Sequence, residues 1–167
     1  MIVATSSIPA AIDYLVSAAA AAFPGALVLD GGPRSTDQQS FQDIVAIGWD
    51  GDPEMTMSAA EGDQDFAALN RALTRNEDYR LTCSILHWDG TDNYKSARDG
   101  AFAMLATFEK LLRGYPPNGT GDTSLGGAVL WSHVAGGVAL NYTPASANGV
   151  AAYITFHVTC RARLTGS

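Results

Sequence analysis

The chain has 167 residues, of which 47% are apolar and only 16% charged, with a formal net charge of −7. That length points to one domain over 1–167, able to bury about two-thirds of its extended surface without a disulfide or metal staple. So apolar a chain collapses rather than staying disordered, and its acidity argues against nucleic acid as the main ligand. The charge is unevenly placed: residues 1–66 hold ten acids and one base, whereas 67–167 hold seven acids and nine bases. Such bipolarity suits head-to-tail self-association, with simple solvation as the commoner alternative.

Ile8, Ile12, Leu15, Val16, Ala19 and Phe23 recur at helical spacing, with Ser7 as N-cap, Pro9 in the first turn and Pro24-Gly25 as the stop. This stretch only superficially resembles a signal-peptide core, since no Lys or Arg precedes it and Asp13 interrupts it. Its apolar part is far short of a membrane span. The expectation is therefore a protein made in the cytoplasm, with no membrane partner.

Ala26–Asp30 and Asp43–Trp49 read as strands, with Glu54–Ala60 as a further partner strand. Residues 58–76 are small, polar and weakly helical, a surface excursion in which Phe66 points to packing on another subunit. Tyr79–His87 alternates, with Tyr79, Leu81, Cys83 and Ile85 to one side and Arg80, Thr82 and Ser84 to the other. Tyr94, Ala97, Ala101, Met104, Leu105, Phe108, Leu111 and Leu112 form the stripe of a second helix, ended by Gly114. Leu125–His133 and Val138–Thr143 flank Ala135-Gly136-Gly137, a predicted hairpin turn. Val150–Leu164 closes the pattern as one long strand. The fold class is α+β: an antiparallel or mixed sheet of four to six strands, with two helices on one face.

Little in this pattern carries chemistry. His87, His133 and His157 lie outside any metal motif, and Cys83 and Cys160 read as buried structural thiols. Asp50, Asp52, Glu54 and Glu61 fail as a calcium loop because Met55 stands where glycine is needed; Asp89, Thr91 and Asn93 fail likewise. No cofactor is expected, and at most weak Mg²⁺ or Ca²⁺ binding at the first acidic cluster. No nucleophile elbow, phosphate loop or dinucleotide fingerprint is present, so the expectation is a non-enzyme.

The order of segments carries a likeness. The helix Ile8–Phe23 is followed by strands and by Leu81-Thr82-Cys83-Ser84-Ile85-Leu86-His87-Trp88 running into Asp89-Gly90-Thr91-Asp92. The helix with Ala97–Leu105 comes next, then the closing strand Ile154–Arg163. This order resembles the tail terminator (minor tail, tail-completion) proteins of long-tailed bacteriophages. The resemblance implies a structural virion protein at the head-proximal end of the tail. It forms a homo-oligomeric ring, hexameric in that family, that ends polymerisation of the tail tube protein. The ring then docks on the head-completion or connector protein, and DNA passes its lumen without specific binding. The interface residues expected on this reading are Arg161 and Arg163, facing acids of a neighbour or of the tube. Trp131 and Tyr142 flank the expected hairpin turn and are candidate partner anchors, with core packing the favoured fate of Trp131, and Phe66 is added from the excursion. The rivals are another neck ring, such as a head-completion protein, and a small α+β enzyme or ligand-binding domain with a pocket between helix and sheet.

Overall fold

Two fifteen-residue strands carry the architecture. In the computed structural model, which describes residues 5–33, 43–52, 58–66, 74–114, 121–144 and 146–165, β4 (Arg75–Asp89) and β7 (Val150–Leu164) pair antiparallel over their whole length. Their alternation fixes which side each residue faces. Tyr79, Leu81, Cys83 and Ile85 on β4, with Ile154, Phe156, Val158, Cys160 and Ala162 on β7, are buried on one side.

Each outer edge of this pair is covered by two short strands laid end to end. β2 (Ile44–Ile47) and β3 (Ala60–Phe66) both run antiparallel to β4, while β5 (Trp131–Val134) and β6 (Ala139–Tyr142) both run antiparallel to β7. β1 (Leu27–Asp30) adds to β2 in parallel, completing a mixed sheet of seven strands. The α+β class is as expected. The strand number exceeds four to six because each edge partner is broken in two.

Three expectations are corrected. Ala135-Gly136-Gly137 does not turn a hairpin: β5 and β6 do not pair with each other but continue in one direction along β7. Val134 lies opposite Val158 and Ala139 opposite Thr155, so residues 135–138 bulge out opposite only two residues of β7. Gly136 supplies the positive φ of +87° that a bulge needs as much as a turn does. Second, the segment 58–76 is not an excursion throughout, since Ala60–Phe66 is a strand and β4 begins at Arg75. β3 is exposed along nearly its whole length, so it has no apolar alternation to read. Residues 54–57 of the expected Glu54–Ala60 strand lie outside the described residues; Ser58 and Ala59 are not strand. Third, Leu125–Leu130 is a turn, not the start of a strand. Asp122 accepts hydrogen bonds from Ser124 N, Ser124 Oγ and Gly126 N at 2.6–2.8 Å and folds the chain around its carboxylate.

The helices α1 (Ile8–Ala22) and α2 (Tyr94–Leu111) join a single apolar core on one side of the sheet. α1 buries Ala11, Leu15 and Ala19; α2 buries Ala97, Ala101, Leu105 and Phe108. Phe108 meets Phe156 of β7 edge to face, with centroids 5.0 Å apart. Asn93 caps α2, its Oδ1 accepting from Lys95 N and Ser96 N.

α1 is capped differently from the expectation. Ser7 precedes the helix, but its side chain makes no cap; Ser6 Oγ accepts from Ile8 N instead. Ser7 is committed to Glu77 of β4, which is only 2% exposed: Ser7 N and Ser7 Oγ both donate to Glu77 Oε2 at 2.7 Å. Gln64 Nε2 of β3 donates to Glu77 Oε1 at 2.7 Å, and Gln64 also reaches Thr5 O. One carboxylate thus ties the start of α1 to two strands. Burial alone works to raise its pKa, but the hydrogen bonds from Ser6, Ser7 and Gln64 outweigh that and hold it below the usual value.

The stabilisation from Glu77 is therefore full above the unfolded chain's value of 4.5, and is lost as pH falls through that value and then the lower folded one. Glu77→Ala strands the Ser7 amide and should cost about 2 kcal/mol, read as a lower urea midpoint at pH 7. Glu77→Gln should flatten the acid limb of stability against pH relative to wild type; an unchanged limb would show that this carboxylate does not control it.

Candidate functional site: the open sheet face and its edges

The sheet side away from the helices carries the polar residues of β4 and β7, and cross-strand register sorts them into rows. Glu61, Arg80, Thr159 and His133 share one row; Asp63, Asp78, Arg161 and Trp131 share the next; Asp65, Asn76 and Arg163 share the third. Arg161 Nε lies 3.1 Å from Asp78 Oδ1 and Arg163 Nε donates to Asn76 Oδ1 at 3.3 Å. Arg80 and Glu61 approach at 3.4 Å. Trp131 is half-buried and tilts over His133 with ring centroids 5.0 Å apart, so it belongs to this face and not to the core.

Three of the five expected interface residues, Arg161, Arg163 and Trp131, are therefore neighbours. The other two are elsewhere. Phe66 ends β3 on the helix side of the sheet and is 71% exposed. Tyr142 ends β6, also on the helix side, and meets Tyr94 of α2 edge to face at 5.2 Å.

A cleft that the sequence did not announce lies beside the rows. The chain leaves β2 at Gly48 and returns to β4's edge at Ala59, and the described ends of this connection, residues 48–52 and 58–59, lie against the open face. Thr155 Oγ1 donates to Asp50 O at 2.7 Å and Thr82 Oγ1 to Ser58 O at 3.2 Å. The result is a cleft of about 320 Å³ lined by Asp50, Ser58, Glu61, Arg80, Thr82, Thr155 and His157. His157 Nδ1 is buried there and has no hydrogen-bond partner among the described residues. The only advance signal was the polar parity of β7, because the excursion joins positions 105 residues apart.

No group of three or more His, Cys, Asp or Glu side chains among the described residues is placed to hold a metal. In the first acidic cluster Asp50 Oδ1 accepts from Asp52 N, closing a turn, while Glu54 lies outside the described residues. His87 Nδ1 lies 2.8 Å from Asp43 Oδ1, which also accepts from Trp88 N. The His87 ring packs on α2 at Gly100, where a Cβ would come within 2.2 Å of it. That pair anchors helix to sheet and leaves no room for a substrate between them.

The space between helices and sheet, where the ligand-binding rival placed its pocket, is occupied by the apolar core around Phe108, Phe156 and Leu15. The chain matches no protein-family model and no curated protein. No helix among the described residues is long and apolar enough to cross a membrane.

Cys83 and Cys160 are both free and buried in that core, and burial pushes each thiol up to about 12. Neither should react with a thiol reagent in the native protein at pH 8, and labelling should appear only at the rate of unfolding. Rapid labelling without denaturant would contradict the packing described here.

Proposed function

We propose that the chain is a structural ring subunit of a long-tailed phage, a tail terminator that caps the tail tube, stops its polymerisation and joins the tail to the head. The observation that carries this reading is the state of the sheet's edges. Residues 130–143, which contain β5 and β6, hold no Asp, Glu, Lys, Arg or Pro, and they expose Leu130, Val138 and Tyr142. Sheet edges in monomeric proteins are normally guarded by charge or proline, so an unguarded edge asks for a cover. The opposite side of the sheet ends in an exposed acidic strand, β3. A molecule with two unlike edges associates heterologously, and a closed ring satisfies every copy without leaving ends.

The segment order resembling the terminator family supports the same role, and with it a hexamer. On this reading the tube protein meets one face of the ring and the head-completion or connector protein the other. DNA passes through the lumen with no specific contact, in keeping with an acidic chain. The protein acts in the virion, at the head-proximal end of the tail, after assembly in the host cytoplasm. The role is non-enzymatic and needs no cofactor. Another neck ring fits the same edges. A ligand-binding domain is the second reading, favoured by the cleft and by the buried His157 Nδ1, which has no hydrogen-bond partner among the described residues.

The native mass by light scattering across a concentration series, with negative-stain images, tests this directly. A closed ring, and tail tubes that stop growing when the protein is added, are the expected results. A protein that is monomeric throughout and leaves tube growth unaltered overturns the proposal.

A further inference from the structure

We infer that the acidic β3 edge of one copy is the surface on which the Arg161–Arg163 corner of a second copy docks, head to tail. This rests on the ring reading and names the two halves of its contact.

Register supplies the first argument. Asp63 and Arg161 stand in one cross-strand row, Asp65 and Arg163 in the next. On this shared face the acids lie at one edge and the arginines toward the other, each pair separated by two residues, roughly 7 Å along its strand. A sideways repeat of the molecule with little slip therefore sets acid level with base in two consecutive rows.

Charge supplies the second. Asp63 lies directly opposite another acid, Asp78, which itself is bound by Arg161. Like charges opposed across a ladder are unfavourable, so Asp63 gains from an outside cation. Asp65 is opposite Asn76, the amide that also receives Arg163. β5 begins at Trp131, opposite Arg161, and so leaves Arg163 beyond its end and exposed. Two β3 edges brought together would oppose Glu61, Asp63 and Asp65 to the same three acids, which excludes the symmetric dimer and selects the heterologous contact. Trp131 beside Arg161 adds apolar area on the basic half.

Charge exchange is the test, read as native mass, with melting curves to certify the fold. Asp63→Arg/Asp65→Arg and Arg161→Glu/Arg163→Glu should each remain monomeric at concentrations where the wild type assembles. An equimolar mixture of the two should recover the wild-type mass, as should the fourfold variant. The milder Asp63→Asn/Asp65→Asn should raise the concentration of half-assembly roughly tenfold without altering the melting curve. Assembly by either reversed variant alone, or a folded mixture that stays monomeric, overturns this surface while leaving the ring. A wild type that never assembles overturns both.

Discussion

A fifteen-residue antiparallel pair has two long edges and two faces, and every other element of this protein answers the demands of β4 and β7. Backbone groups on an edge need partners, and no single flanking strand here is long enough to provide them all. The chain therefore supplies each edge in two instalments, β2 then β3 on one side, β5 then β6 on the other. Between instalments it leaves the sheet, and Asp50 and Ser58, from the two ends of the longer connection, line the polar cleft. The apolar face is closed by two helices, and the polar face is left with its rows of charge.

Helix and sheet are not joined by apolar contact alone. Glu77 interrupts the inward-facing apolar series of β4 with a buried carboxylate, and that carboxylate is satisfied by the first residues of α1 and by Gln64 of β3. Buried charge of this kind adds little net stability over an apolar residue of similar size, but it is strongly directional. It sets where α1 starts, and through Gln64 it ties down the otherwise exposed β3. The strand proposed to meet a neighbour is thus held at one position by the helix layer, so its acids have a defined place.

What was legible in the sequence follows from burial. The apolar alternation of Tyr79–Ile85 and Ile154–Ala162 gave strand and facing together, and the stripes of α1 and α2 gave both helices, because each has one buried side. β3 has none and was invisible to periodicity. Gly136-Gly137 announced a positive φ but not whether the chain would reverse or bulge, since both use the same dihedral. Ser7 announced a helix start correctly while its hydroxyl was claimed by a residue 70 positions away. The outward facing of Arg161 and Arg163 was readable from parity. Their partners Asp78 and Asn76 were not, since those depend on which strand lies beside β7 and in what register.

The arrangement also dictates an order of events during synthesis. The partners in the central pair are separated by 61 residues at the Asp89–Val150 end and by 89 at the Arg75–Leu164 end. β7 follows every other strand in the sequence, so β1 to β4 and both helices emerge with one long edge of β4 unsatisfied and half the core floor missing. β5 and β6 have nothing to pair with until β7 arrives. Such a non-local closing step makes folding slow and leaves an adhesive intermediate in the interval. Newly made chains of this protein are therefore most exposed to misassociation just before their last strand is in place.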